Sequence, residues 1–130
     1  MMRVTVDTNI LVSGTFWSGS SFRILELTDD RKILLVLSPE ILEEYVIEKV
    51  EQKELMTSQL SQKVIVNSII AQPLLKFNAC EDPDDNKILE CAVAGGVDCI
   101  ISNDKHLLKL GKFQGIPIVT SNEFLQKYTE

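Results

Sequence analysis

Six residues near the start of the chain, Val4-Thr5-Val6-Asp7-Thr8-Asn9, constrain its fold more than any other stretch. Three β-branched residues in a row suit a short strand buried among neighbours. An acid, a hydroxyl and an amide follow at once, where that strand must end. In an open parallel α/β sheet, ligands bind just beyond the carboxyl ends of the strands, so Asp7 stands where a reactive group belongs. The plainer reading is that Asp7 or Thr8 caps a helical segment over Asn9 to Val12. Taken alone, this stretch favours the cap. Three later acids in comparable places change the balance.

The rest of the chain alternates strand and helix signals. Ser13 to Ser21, rich in Ser and Gly and carrying Phe16 and Trp17, reads as a loop. A helix follows through Phe22, Ile24, Leu25 and Leu27, ending near Asp29-Asp30. Ile33 to Leu37 is apolar throughout and too short for a helix, so it is expected to be a strand buried on both faces. Ser38-Pro39-Glu40 marks a helix start, with Ser38 as N-cap, and this helix is expected to reach about Val50. Gln59 to Ala71 reads as another helix, ended by Pro73, whose apolar residues Val64, Ile65, Val66, Ile69 and Ile70 cover more than one stripe. Asp82-Pro83 opens a helix with Ile88, Leu89, Ala92 and Val93 on one face, and Gly95-Gly96 stops it. Cys99 to Ile101 reads as a strand, Asp104 to Leu110 as a helix and Ile116 to Thr120 as a strand. Ser121 then caps a last helix carrying Phe124, Leu125 and Tyr128. This alternation predicts βαβ units with right-handed crossovers, hence an α/β fold around a parallel sheet. At 130 residues, one domain spanning 1–130 is expected.

Four carboxylates stand out by position. Asp7 and Asp104 each sit just past a strand, the latter within Ser102-Asn103-Asp104. Asp85 lies in the first turn of its helix, and Ile88 and Leu89, three and four residues on, belong to the buried face. It is therefore expected to face the sheet, with Asp84 turned to solvent. Capping accounts well for Asp82 and Asp84. It accounts less well for an inward Asp85, because an unpaired carboxylate near a core is costly. In the helix after Ser38, Ile41, Leu42, Tyr45, Val46 and Val50 form the apolar face. Glu43 and Glu44 flank it on opposite sides, so periodicity does not choose between them.

The ordered set Val-Asp7-Thr8-Asn9, Ser38-Pro39-Glu40 to Glu44, Asp82-Pro83-Asp84-Asp85-Asn86 to Ala92, Ser102-Asn103-Asp104 and the closing Thr120 to Leu125 resembles the PIN-domain family. It is most similar to the small single-domain prokaryotic members of the VapC toxin type. The resemblance implies a three-layer α/β/α fold and hydrolysis of RNA phosphodiester bonds with water as nucleophile. It also implies Asp7, Glu44, Asp85 and Asp104 as the four acidic site residues, which breaks the tie with Glu43. Asn9 and Ser102, the latter where relatives often carry threonine, would position ligands or substrate. An antitoxin protein and a second copy of the chain are the partners it suggests.

Oxygen-only ligands favour Mg²⁺ or Mn²⁺ over zinc. Such ions polarise a phosphoryl oxygen and acidify bound water, and two of them about 4 Å apart stabilise both attacking and leaving oxygens. Asp7, Asp85 and Asp104 are the expected ligands, with Glu44 completing the set or orienting water. His106 is the single histidine, which excludes a paired-imidazole mechanism. Cys80, Cys91 and Cys99 lack metal spacing and suit reduced thiols, and with no leader-like or membrane-spanning run a cytoplasmic location is expected. A net charge of -6 argues against gripping RNA by bulk electrostatics. Lys105, Lys109 and Lys112, at helical spacing beside Asp104, together with Arg23 and Trp17, are the candidate RNA contacts. Two other functions compete: a PIN-like binding module without catalysis, and a haloacid-dehalogenase-type phosphatase. The second wants Asp-x-Asp, and Asn9 stands in its third place.

Overall fold

The fold is given by a computed structural model that describes residues 1–51 and 59–128. In chain order its elements are β1 (Arg3–Val6), α1 (Thr8–Phe16), α2 (Ser20–Asp29), β2 (Leu34–Leu37), α3 (Pro39–Glu51) and α4 (Gln59–Asn67). They continue with β3 (Ile69–Ile70), α5 (Pro83–Gly95), β4 (Cys99–Ile101), α6 (Lys105–Leu108), β5 (Lys112–Phe113), β6 (Ile116–Val119) and α7 (Ser121–Tyr128). The sheet order is β3-β2-β1-β4-β6-β5. All neighbours run parallel except β5, which is antiparallel to β6.

β1 is central, with Val4 opposite Leu35 on one side and Cys99 on the other. Successive strand side chains point to opposite faces. Val4, Thr5 and Val6 are nevertheless all fully buried, as are Val36 and Leu37 on β2. Both faces of the sheet are therefore covered by helices, and the architecture is three-layer α/β/α. From β1 the chain moves outward through β2 to β3, then returns to place β4 and β6 on the other flank. The sheet thus reverses direction between β1 and β4. Such a switch point leaves a crevice at the carboxyl ends of the strands.

Three segments depart from the sequence reading. Ser13 to Phe16 continues α1 instead of forming a loop, and only 17–19 connect it to α2. Gly14 explains the composition: a Cβ there would lie 2.6 Å from Leu25 Cδ1 and 2.8 Å from the Ser21 carbonyl. Gly14 serves close helix packing, whereas Gly19, at φ 129°, serves the turn between the two helices. The helix expected over 59–71 stops at Asn67, where the Ser68 N–H and hydroxyl both turn back to the Ile65 carbonyl. Ile69 and Ile70 then pair with Val36 and Leu37 as an edge strand. Unpaired main-chain groups on β2 outweigh the local periodicity.

The third departure is α6, which has only four residues, with Lys109 as its C-cap. Gly111, at φ 72°, turns the chain into β5. Lys112 is consequently on a strand, and the proposed lysine stripe is broken. Leu55 and Met56, whose apolar side chains would add to a self-association surface beside α4, lie outside the described residues. No helix among the described residues is long and apolar enough to cross a membrane.

Candidate active site

Asp7 ends β1 and is the N-cap of α1, its Oδ1 accepting from the Ile10 N–H at 2.9 Å. Its Oδ2 accepts from the Ser102 hydroxyl. The capping role and the inward placement therefore coexist. Burial raises the Asp7 pKa above the ordinary carboxylate range, the Ser102 and Ile10 hydrogen bonds oppose this, and the Asp104 charge adds to it. Ser102, wholly buried, also accepts from the Asp104 N–H at 3.0 Å. One hydroxyl thus ties the strand-end carboxylate of β1 to the segment after β4. Asp104 is the N-cap of α6, with Oδ1 receiving the His106 N–H at 2.7 Å.

Asp85 comes from the first turn of α5. Asp82 is the cap there, accepting from the Asp84 N–H at 2.9 Å. Asn86 holds the preceding loop by bonding the Cys80 N–H and carbonyl at 2.8 and 2.9 Å, which fixes the terminus against the sheet. Asp85 is only 7% exposed, and its Oδ2 is buried without a hydrogen-bond partner. Burial pushes its carboxyl up to about 6, with the charges of Asp104 and Asp82 adding to the effect.

Glu44, on α3, accepts from the Thr8 hydroxyl at 2.9 Å through Oε2 and from Lys87 Nζ at 3.2 Å through Oε1. Lys87 also reaches Asp84 Oδ1 at 3.0 Å. Partial burial and the neighbouring Asp84 raise the Glu44 pKa, against the bonds from Thr8 and Lys87. The shared bond to Glu44 and the Lys87 ammonium hold Asp84 low.

These groups line one cleft of ≈ 110 Å³ whose walls include Asp7, Thr8, Asn9, Glu44, Asp84, Asp85 and Asp104. A recess of ≈ 180 Å³ shares Asp7, Asn9 and Asp104 and adds Ser13 and Asn103. The volume holds several water molecules, each needing about 10–15 Å³ by this measure. Four carboxylates named from sequence are thus brought to one place, with Asn9 in the wall and Ser102 beneath it. Trp17, Arg23, Lys105 and Lys109 do not line it: Arg23 pairs with Glu26 at 3.3 Å and the other three are exposed. Sequence reasoning missed Thr8 and Lys87 as partners of Glu44. Asp84 is exposed, as its place on the helix predicted, and its side chain also forms part of the wall. The i, i+3 spacing of Asp84 and Lys87 on one helix was the available signal.

The donor set is all oxygen, with one buried carboxylate oxygen lacking a donor, and this chemistry fits a hard divalent cation. Among the described residues no three His, Cys, Asp or Glu side chains are grouped so as to ligate one ion together.

A mostly parallel α/β/α sheet with an acidic crevice at its switch point is the class of fold and site that these elements form. Within that class the affiliation is specific: residues 3–106 match the model of the PIN domain, and the chain belongs to the PIN domain family. That membership sets aside the haloacid-dehalogenase reading. The chain is similar to the uncharacterized protein MJ1680 of Methanocaldococcus jannaschii, at 29% identity over 148 residues, covering 98% of this chain and 92% of the relative. Its fold resembles the crystal structure of PAE2754 from Pyrobaculum aerophilum, with TM-score 0.62, 10% identity, and 98% and 90% of the two chains covered. It also resembles VapBC2 from Rickettsia felis bound to a DNA fragment from their promoter, with TM-score 0.58, 19% identity, and 92% and 98% covered. At these identities the two solved structures speak for the fold.

Proposed function

We propose that this PIN domain, taken as one domain over the whole chain, is a Mg²⁺- or Mn²⁺-dependent ribonuclease that hydrolyses phosphodiester bonds. The observation that carries the reading is the buried, partnerless Oδ2 of Asp85 in a cleft walled by Asp7, Glu44 and Asp104. A carboxylate oxygen shielded from both water and protein donors costs several kcal/mol unless a cation meets it. Asp85 would meet the ion directly and Asp7 and Asp104 through water, since Mg²⁺ keeps much of its hydration and no three of the described acids are grouped to ligate one ion. When bound, such an ion polarises a phosphoryl oxygen and acidifies attacking water.

The protein's own contribution is placement. Ser102 fixes Asp7 and the Asp104 backbone relative to one another, while Thr8 and Lys87 hold Glu44 at the rim. Asn9, exposed in the wall of both recesses, is positioned to meet the substrate. The likeness to VapBC2 supports a toxin role with an antitoxin protein as partner, and the cytoplasm is the location proposed with that role. Exposed Val46 and Ile47 on α3 and Val66 on α4 support pairing of two copies of the chain. A PIN-like module without catalysis is the second reading, favoured by the spread of the described carboxylates beyond joint ligation of one ion.

Purified protein and a mixed single-stranded RNA pool separate the two. Cleavage is expected with Mg²⁺ or Mn²⁺, lost in chelator and restored when metal is added back. Undiminished cleavage after exhaustive chelation would exclude the metal-dependent reaction. Absence of both cleavage and metal binding would favour the silent module.

A further inference from the structure

We propose that Lys87 is the cation that neutralises one wall of this cleft: its ammonium bridges Glu44 and Asp84 and leaves a single divalent-ion position beside Asp7, Asp85 and Asp104. The inference rests on the metal-dependent reading above and specifies how many ions that site takes.

The two sides of the cleft are satisfied in different ways. On one side, Lys87 Nζ lies 3.2 Å from Glu44 Oε1 and 3.0 Å from Asp84 Oδ1. Glu44 Oε2 receives the Thr8 hydroxyl at 2.9 Å, so each oxygen of this carboxylate already has a protein donor. On the other side, Asp85 Oδ2 is buried and has none. Six carboxylates line the cleft, namely Asp7, Glu44, Asp82, Asp84, Asp85 and Asp104. Among the described residues, Lys87 makes the only ion pairs with any of them.

Lys87 and Asp85 both stand in the first half of α5, and the ion pairs to Glu44 and Asp84 are what hold the ammonium on one side of the cleft. A compact ammonium is a point charge that replaces part of what a second metal ion would contribute. A fixed lysine can also stabilise charge developing on a phosphoryl group, as lysine and metal clamps do. The place between Glu44 and Asp84 is thus filled before any divalent ion arrives.

Calorimetric titration of the full chain with Mn²⁺ at neutral pH tests this. The wild type is expected to bind one ion per chain, and Lys87→Arg, which keeps the charge, also one. Lys87→Met and Lys87→Gln are each expected to bind a second, weaker ion, raising the stoichiometry twofold. Two neutral variants are used so that a folding failure in one, seen by circular dichroism, does not decide the matter. Asp85→Asn in the wild-type background is expected to lose the single ion. Two ions in the wild type, or one in both neutral variants, would overturn the role of Lys87 and leave the metal-dependent reading standing. No Mn²⁺ bound to the wild type would overturn that reading, and this inference with it.

Discussion

Asp84 and Asp85 are neighbours on one helix terminus yet meet opposite surroundings. Asp84 is exposed and ion-paired with Lys87, whereas Asp85 is buried with one oxygen unpartnered. Burial lifts the Asp85 carboxyl from 3.8 to about 6. Below the lower value the group is protonated whether the chain is folded or not. As pH rises between the two, the unfolded chain releases the proton first, so folding loses stability, and the loss is complete above about 6. Asp85→Asn removes that penalty in metal-free protein. The variant is expected to be more stable than wild type by about 1–3 kcal/mol at pH 8, with the difference vanishing towards pH 4. Asp84→Asn breaks an exposed ion pair and is expected to cost at most about 1 kcal/mol. Urea denaturation in chelator at both pH values measures this. If Asp85 were only a dipole partner, its replacement would instead destabilise by about 0.3–1 kcal/mol at pH 8. With metal present the order reverses, because Asp85→Asn is expected to abolish ion-dependent stabilisation and cleavage.

Helix α1 shows where a chain like this is readable and where it is not. Gly14 looked like loop punctuation, but it is buried under α2 at a distance that only a missing Cβ permits. Gly14→Ala gains about 1 kcal/mol of helix propensity. It also forces a methyl against the Ser21 carbonyl, and such overpacking costs about 1–3 kcal/mol. A net loss of stability is expected, read as a lower urea midpoint with unchanged slope. A raised midpoint would mean that the α1–α2 contact has slack. The same limit explains β3 and β5. Each is two residues long, too short for a period, and exists because β2 and β6 offer main-chain partners that local sequence does not announce. By contrast β1, β2, β4 and β6 were legible from β-branched or apolar runs of three to five residues. The cleft divides likewise. Carboxylates placed after strand ends or in the first turn of a helix are visible as positions. The bonds of Thr8 and Lys87 to Glu44 join residues 36 and 43 places apart, and no spacing rule reaches that far.

At the scale of the whole molecule, charge is the unresolved tension between this fold and an RNA substrate. Lysine and arginine number 13 against 19 acidic residues, and six of those acids line the cleft itself. The lysines that seemed to form a track do not share a helix: Lys105 begins α6, Lys109 caps it and Lys112 lies on β5. Polyanion binding by a basic groove follows a steep salt law, about 0.7 counterions released per phosphate for a single strand. A cleft lined by six carboxylates neutralises few phosphates, so affinity at that cleft should depend little on salt. In chelator, where the proposed cleavage is off, a fluorescent single-stranded RNA is expected to bind weakly. Its log Kd against log [KCl] is expected to rise with a slope of about 0–1.5, equivalent to at most about two phosphate contacts. Adding a divalent ion should tighten binding chiefly by neutralising the cleft, and Asp85→Asn should lose that gain. Fluorescence anisotropy between low and moderate salt gives the slope directly. A slope of about 4 or more would show that the chain presents a basic surface to RNA after all, built from lysines outside the cleft or supplied by pairing of two copies. Engagement would then begin on that surface and not at the acidic crevice.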